Sequence, residues 1–412
     1  MAKQKSLLIL ITLILLAGCN LPAAEPVPQQ DAQALVATSV AATQAALDKS
    51  ASPGSDQPGA EAAQPETAHL LPHALYYLNS ADGEIYQVWL LDRDGLSSTR
   101  ITKEPAGVDE YAVSPADGSV AILTQNQIFL ISPDGTQRQL LVDGSQTIAE
   151  TDEYFYTQKI SGLSWSPDGS TLAYGRNGLH FYQLAAQTDE HVLTNEIETR
   201  ASGMLFPQAL YSPIEWSPDG SQLLVNVSYY EAGTLGIFTP GSPEFLKLGE
   251  GIVCCQPAWA PDSRSILVAS PFLGYVESGL WQFDTATGAQ TELIPTTSAD
   301  ETLNFAGWPL MLQNGDLRYF YTNTPSFPSG DVPLLMVNSA SDGVSGRSIL
   351  RPENWLNYEV LWAADGSMAI AVQPIPGEAA GWPRTGPIVL IPASKDPVIS
   401  LGINGYQIQW GP

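Results

Sequence analysis

The chain has 412 residues, of which 44% are hydrophobic and only 15% are charged, so it can form a core and is not a disordered acidic segment. Its formal net charge is −26, from 17 basic and 43 acidic residues. A surface of this sign repels phosphate backbones, which excludes nucleic acid as a partner.

The N-terminus has the features of an export signal. Two lysines, Lys3 and Lys5, precede an apolar run over residues 6–16 that is too short to span a bilayer and is followed by small residues. The Leu-Ala-Gly-Cys motif that ends at Cys19 resembles the lipobox of bacterial lipoproteins. The resemblance implies that residues 1–18 are a signal peptide and that Cys19 carries a lipid. That lipid would anchor the protein to the extracytoplasmic side of a bacterial membrane. The alternative is an ordinary secretory signal with a chance cysteine.

Residues 19–70 are rich in Pro, Ala, Gly and Gln and contain too little apolar surface to pack. We expect them to form a disordered tether between the lipid and a domain at residues 71–412.

A turn motif then recurs along the chain. Trp165 and Trp216 each begin an intact Trp-Ser-Pro-Asp-Gly sequence, and Trp259 begins a close variant. In such a turn Pro presets φ, Asp binds its own backbone, and Gly accepts a positive φ. With weaker copies at Val113, Trp308, Trp362 and Trp410, there are seven turns spaced 43 to 54 residues apart. The predicted structural turn residues are Trp165, Asp168, Trp216, Asp219, Trp259, Asp262, Trp308, Trp362, Asp365 and Trp410.

This spacing predicts an all-β fold, a single β-propeller with seven four-stranded sheets, or blades. Leu75–Leu78 and the two strands after it lack a preceding motif, and Gly405–Trp410 has no strand after it. We therefore expect the C-terminal strand to complete the first blade. The repeat is similar to that of the TolB-type β-propeller family over roughly residues 73–412. The similarity implies architecture rather than partners, because TolB has six blades and an N-terminal α/β domain in place of the tether.

Cys254 and Cys255 are adjacent. Outside the cytoplasm they could form a vicinal disulfide, or they could be two small residues on opposite faces of a strand. No histidine lies near them in sequence, and we predict neither a metal site nor a cofactor.

The loops between second and third strands, and those between blades, are long and share one face, which we predict to be the binding face. They are rich in aromatic and acidic residues, which suit stacking on a sugar or enclosing a cationic group. The alternative is that these aromatics only pack their own loops. The candidate ligand-binding residues are Tyr154, Tyr156, Tyr229, Tyr230, Glu231, Tyr275, Glu277, Trp355, Trp382 and Arg384.

The sequence offers no recognisable catalytic group. His180 lies in an alternating strand and is interpreted as a packed residue, and no Gly-x-Ser-x-Gly motif is present. We predict a non-catalytic, lipid-anchored module that binds a carbohydrate, a cationic small molecule or an envelope protein. A carbohydrate-active enzyme that uses loop carboxylates is the first alternative. A structural assembly module is the second.

Overall fold

The computed structural model describes residues 69–80, 85–145, 155–201, 205–229, 232–242, 244–249, 257–271, 277–326, 328, 332–375, 377 and 383–412. The chain divides into two units, Met1–Glu66 and Thr67–Pro412, and every described residue belongs to the second. Cys19, Cys254, Cys255, the predicted signal and most of the predicted tether lie outside the described residues. The described part contains no helix long and apolar enough to cross a membrane.

The described residues are all-β, with antiparallel strands throughout and one short 3-10 helix at Phe155–Gln158. In chain order the strands are β1 (Leu75–Asn79), β2 (Gln87–Leu91), β3 (Ser98–Arg100), β4 (Glu110–Val113), β5 (Val120–Thr124), β6 (Gln127–Ile131), β7 (Arg138–Asp143), β8 (Ser161–Trp165), β9 (Thr171–Gly175), β10 (Gly178–Gln183), β11 (Thr188–Thr194), β12 (Glu196–Thr199), β13 (Leu205–Trp216), β14 (Leu223–Tyr229), β15 (Ala232–Phe238), β16 (Phe245–Leu248), β17 (Ala258–Trp259), β18 (Ser265–Ser270), β19 (Gly279–Asp284), β20 (Gln290–Ile294), β21 (Leu303–Met311), β22 (Leu317–Thr324), β23 (Leu334–Ser339), β24 (Ser348–Trp355), β25 (Glu359–Trp362), β26 (Met368–Val372), β27 (Gly386–Pro392) and β28 (Ile399–Trp410).

Consecutive strands form the sheets β4–β7, β8–β11, β12–β16, β17–β20 and β21–β24. The sixth sheet has the order β25-β26-β27-β28-β1-β2-β3 and is assembled from both ends of the unit. The first part of β28 pairs with β27, and its last part pairs with β1, where Leu75 faces Trp410 and Leu78 faces Tyr406. The predicted pairing of the C-terminal strand with the first strand is therefore observed.

Strands of neighbouring sheets contact one another in succession. β4 contacts β8, and β8 contacts β13; β17 contacts β21, β21 contacts β25, and β25 contacts β28. The indole N–H of Trp259 in β17 donates to the carbonyl of Glu215 in β13 at 3.3 Å, and β28 contacts β4. The succession thus returns to its starting strand. Repeated four-stranded antiparallel sheets in this order are consistent with a β-propeller.

The buried apolar side chains lie between neighbouring sheets and not in one central core. In one cluster, for example, Ala112 and Val142 of the sheet β4–β7 pack with Leu163 and Leu172 of the sheet β8–β11. Seven such clusters are present among the described residues. Six of them take side chains from two neighbouring sheets, and one lies within the seven-stranded sheet, where side chains of β26 and β27 pack with those of β1 and β2. Burial between faces is therefore what stabilises each sheet against the next.

The repeated turns have the local chemistry expected from their sequence. In the turn after β8, a carboxylate oxygen of Asp168 accepts hydrogen bonds from the Ser166 hydroxyl at 2.6 Å and the Ser170 amide at 3.0 Å. Gly169 has a φ of 69°, which L side chains rarely adopt. In the variant turn after β17, Ser263 occupies the same position at a φ of 60°.

Indole side chains join strands of neighbouring sheets and, at Trp410, two strands of the seven-stranded sheet. The N–H groups of five turn tryptophans donate to backbone carbonyls 44 to 54 residues earlier: Trp165 to Ala112 (3.1 Å), Trp216 to Ser164 (3.3 Å), Trp259 to Glu215 (3.3 Å), Trp362 to Trp308 (2.8 Å) and Trp410 to Trp362 (2.8 Å). Since an unpaired buried donor or acceptor is costly, these bonds favour a fixed spacing between sheets.

The prediction of a turn at Trp308 is wrong. Trp308 lies inside β21 at a φ of 49°, and the pairing register shifts between Gly307 and Leu310. Pro309 has no N–H to donate to the neighbouring strand, which favours a bulge at this point. The turn itself comes after Met311, where the Gly315 amide donates to the Leu312 carbonyl at 2.9 Å.

Candidate functional site

Cavities open at one end of the sheets. One is lined by Tyr229 at the end of β14, Thr234 in the first part of β15 and Gly249 after β16. Another is lined by Ser161 at the start of β8 and Gly175 at the end of β9. This is the end at which second strands finish and third strands begin, so it carries the long loops identified in the sequence.

A third cavity lies at the same end, between the sheet β21–β24 and the strands that follow it. We call it the Trp355 cavity; it is lined by Pro271, Trp308, Val332, Leu334, Trp355, Leu356, Asn357, Tyr358 and Arg384. Its volume, including the open mouth, is about 340 Å³. Trp355 is the last residue of β24, and the next three residues run directly to β25, so the connection between two sheets forms one wall.

Two residues that line the Trp355 cavity carry buried polar atoms without a protein partner. The indole N–H of Trp355 is buried without an acceptor, and both the carbonyl oxygen and the amino group of the Asn357 side chain are buried without partners. Asn357 is only 9% exposed. Because buried polar groups are nearly always hydrogen-bonded, such a group indicates a bound water or a ligand.

The remaining walls of the Trp355 cavity are aromatic and cationic. The Arg384 guanidinium lies over the Tyr358 ring at 5.4 Å from its centroid, within the range of a cation–π contact. The Trp308 ring packs edge-on against Phe320 at 5.9 Å, which fixes its orientation. The site therefore combines flat apolar surfaces with lining residues that carry unused hydrogen-bonding groups, as small-molecule sites do.

A second cluster contains acids and tyrosines near the start of the first strands. Burial raises the pKa of the Glu359 carboxyl to about 7. The pKa of Tyr406 is raised to about 12 by burial, by the neighbouring Tyr86 ring and by the charges of Asp109 and Glu359. Tyr86 and Tyr406 meet edge to face at 5.2 Å. Burial also raises the pKa of Asp109. With that pKa, the Glu359 carboxyl can exchange a proton near neutral pH.

His180 lies in β10 as a packed residue, in agreement with the sequence interpretation of its position. Its ring stacks between Tyr174 and His191 at centroid distances of 4.9 and 4.6 Å, and its Nδ1 is 3.1 Å from Asp189. Within the described ranges no group of three His, Cys, Asp or Glu residues is arranged to hold a metal ion.

The structure brings Trp355 and Arg384 together and separates them from the other described candidates. Tyr229 lines a different cavity with Phe206 and Lys247, and Glu277 is exposed just before β19. The side chains of the remaining candidates, Tyr154, Tyr156, Tyr230, Glu231, Tyr275 and Trp382, lie outside the described residues. Sequence reasoning missed Asn357 and the grouping of Asp109, Glu359 and Tyr406.

Comparison with known proteins shows similarity of fold. No protein-family model and no curated protein matches the chain. A prolyl endopeptidase structure is similar at 15% identity with a TM-score of 0.52, over 83% of this chain and 51% of that one. This chain thus spans about half the length of that peptidase. A structure of oligogalacturonate lyase in complex with manganese is similar at 10% identity with a TM-score of 0.52, over 80% of this chain and 85% of that one.

A TolB structure from Acinetobacter baumannii is also similar, at 13% identity over 78% of this chain and 77% of that one. Its TM-score of 0.38 is too low to carry an argument. The sheet order and the two stronger similarities together support a β-propeller fold.

Proposed function

We propose that this protein is an extracytoplasmic, lipid-anchored β-propeller of seven blades that binds a small ligand, without catalysis, in the Trp355 cavity. The observation that carries the proposal is the set of unpartnered buried atoms on Trp355 and Asn357, two residues that line an aromatic cavity. A buried polar group without a partner is costly, so the site favours a ligand that supplies the missing hydrogen bonds.

The count of seven blades is supported by the apolar clusters. Six clusters fill gaps between neighbouring sheets, and the seventh fills a gap inside the seven-stranded sheet, between β26–β27 on one side and β1–β2 on the other, so the clusters favour seven gaps in a closed ring. The seven-stranded sheet then divides within β28. β25, β26, β27 and the first part of β28 form one blade, and the rest of β28 forms another with β1, β2 and β3.

The membrane anchor is supported by the sequence of residues 1–19 and by the composition of residues 20–70. Lipid on Cys19 and a tether of about 50 residues would let the propeller reach ligands tens of ångströms from the membrane surface. Substitution Cys19→Ser tests this point, because the protein should move from the membrane fraction to the soluble extracytoplasmic fraction.

Binding is tested with the full mature chain in a thermal-shift screen of sugars, amino acids and quaternary amines. We expect at least one compound to raise the Tm of the wild type and to be recovered unchanged. The same compound should fail to raise the Tm of Trp355→Ala. The control Val344→Ala changes an exposed residue between β23 and β24, at the opposite end of the sheets, and should respond as the wild type does. A screen without any Trp355-dependent shift would contradict the proposal.

A carbohydrate-active enzyme is the second candidate, and the cluster of Asp109, Glu359 and Tyr406 favours it. A carboxyl group with a pKa near 7 beside a second acid and a tyrosine is a pattern of acid–base catalysis. The protein should be incubated with oligogalacturonate and with neutral polysaccharides, and new reducing ends should be measured. Glu359→Gln should abolish product formation if Glu359 is catalytic, and the control Glu292→Gln, on the exposed face of β20, should retain it. That result would replace the binding proposal with an enzymatic function.

A further inference from the structure

We infer that the Trp355 cavity recognises a neutral saccharide, with two neighbouring hydroxyl groups held by the side-chain amide of Asn357. This inference rests on the proposed function, that the cavity binds a ligand, and it names the chemical class of that ligand.

The hydrogen-bonding capacity of the cavity sets the first requirement. The Asn357 side chain offers one acceptor oxygen and an amino group with two N–H donors that the protein leaves unused, and the Trp355 indole offers one donor. A complementary ligand must therefore present at least one donor and two acceptors. Adjacent hydroxyls of a sugar ring meet this requirement, because each hydroxyl both donates and accepts.

The walls of the cavity set the second requirement. Trp308, Trp355 and Tyr358 provide flat aromatic surfaces, and such surfaces pack well against the C–H face of a sugar ring. The aliphatic side chains Val332 and Leu334 close the remaining sides. A purely polar ion would leave these apolar surfaces without contacts.

Charge distinguishes a neutral ligand from the alternatives. The described lining residues of the Trp355 cavity include no carboxylate, so they offer no negative charge to a cationic ligand. A polyanionic ligand would approach against the field of a protein with a net charge of −26. A neutral saccharide avoids both penalties.

A trapped water molecule is the competing explanation. The enclosed part of the cavity has room for roughly one water, and a water commonly makes two to four hydrogen bonds. It could therefore bridge Trp355 and Asn357 without any ligand. The two explanations differ in what happens when Asn357 becomes apolar.

The experiment uses isothermal titration of the full mature chain with cellobiose, maltose, digalacturonate and tetramethylammonium. We expect a neutral disaccharide to bind the wild type and Asn357→Leu to weaken that binding at least tenfold. Trp355→Phe, which removes the indole N–H and keeps an aromatic ring, should weaken it severalfold. The control Asn354→Leu changes an exposed asparagine on β24, the strand that ends at Trp355, and this variant should bind as the wild type does.

Thermal unfolding without sugar separates a ligand site from a structural water. If the side-chain amide of Asn357 serves a ligand, Asn357→Leu should keep or raise the Tm, because it removes polar atoms that lack partners. A lowered Tm together with no saccharide binding would identify a structural water and overturn the inference. Binding of digalacturonate or tetramethylammonium alone, lost in Asn357→Leu, would overturn the ligand class and leave the proposed function standing.

Discussion

Glu359 accepts a 2.9 Å hydrogen bond from the backbone amide of Ile408, and this bond joins β25 to the last part of β28. Glu110 in β4 does the same for β8, where the amides of Gly162 and Leu163 donate to its carboxylate at 3.0 and 2.8 Å. In both cases the receiving strand has a bulge, marked by a register shift and a residue at positive φ. The carboxylate thus satisfies amides that the bulge removes from the ladder.

The buried Glu359 makes stability depend on pH. Its pKa is about 7 in the folded protein against an ordinary value of 4.5, so the folded state binds the proton more tightly than the unfolded state. The resulting stabilisation is fully present below pH 4.5 and is lost as the pH rises through 7. Glu359→Gln keeps an acceptor for Ile408, and we expect it to be roughly 1–3 kcal/mol more stable than the wild type at pH 8.

Urea unfolding at pH 4.5 and pH 8 checks this prediction, and at pH 4.5 the variant and the wild type should be equally stable. Glu292→Gln, on the exposed face of β20, controls for the loss of one negative charge. A stability gain that is the same at both pH values would contradict the assignment of a buried, raised pKa.

The indole–carbonyl bonds should differ in strength with their length. Trp362 donates to the Trp308 carbonyl at 2.8 Å, and Trp216 donates to the Ser164 carbonyl at 3.3 Å. Both indoles also pack against a phenylalanine with the same tilt of 41°. Replacement by Phe removes the donor in each case. We expect Trp362→Phe to lower the unfolding free energy by about 1–2 kcal/mol more than Trp216→Phe does.

Chemical denaturation of the two tryptophan variants measures that difference. Their loss of ring volume is the same, so it largely cancels in the comparison. Equal losses would show that packing, and not the hydrogen bond, is what the indoles contribute.

Gly162 should tolerate no side chain. Its φ is 67°, and a Cβ there would lie 2.5 Å from the Ser212 hydroxyl and 2.6 Å from the Pro213 carbonyl. We expect Gly162→Ala to cost about 3 kcal/mol or more, because backbone strain adds to a clash with the neighbouring first strand. Gly346→Ala is the matched control, with a φ of 64° and nothing within 4 Å, and should cost only about 1–2 kcal/mol. Similar Tm losses in both variants would exclude the clash.

Removal of residues 406–412 should open the seven-stranded sheet. The deletion takes away the strand that pairs with β1, the bond from Trp410 to Trp362 and the bond from the Tyr111 hydroxyl to the Gln407 carbonyl. We expect loss of the cooperative unfolding transition and rapid cleavage by trypsin. Removal of Gly411 and Pro412 alone keeps β28 and should leave a cooperative transition. A cooperative, protease-resistant protein after the longer deletion would show that the closure does not depend on β28.

The repetitive part of the fold could be predicted because its information is local. The turn after β8 is specified by neighbours such as Asp168 and Gly169, and the same chemistry recurs after β13. The turn after β21 was misplaced for the opposite reason. Trp165 and Trp216 are the last residues of their strands, whereas the strand before this turn ends at Met311. The sequence pattern therefore predicts the turn at the nearby Trp308.

The candidate site could be predicted only in part. Trp355 and Arg384 stood out because aromatic and charged side chains near the long-loop face suit contacts with a ligand. Asn357 carries no such signal, since its burial comes from packing between β21–β24 and the next strands. The grouping of Asp109, Glu359 and Tyr406 was likewise invisible, because these residues meet only after the sheets have packed against each other.

The sharing of β28 between two groups of strands has a kinetic consequence. The Tyr111 hydroxyl and the Gln407 carbonyl that accepts its hydrogen bond are 296 residues apart, so their contact requires the closure of a very long loop. Contacts of such high sequence separation form late and slow the overall reaction. The intervening sheets can form from local hairpins. This predicts a folding intermediate in which most hairpins have formed but β28 has not yet paired with β1. The exposed edges of these two strands would make the intermediate the species most prone to aggregate.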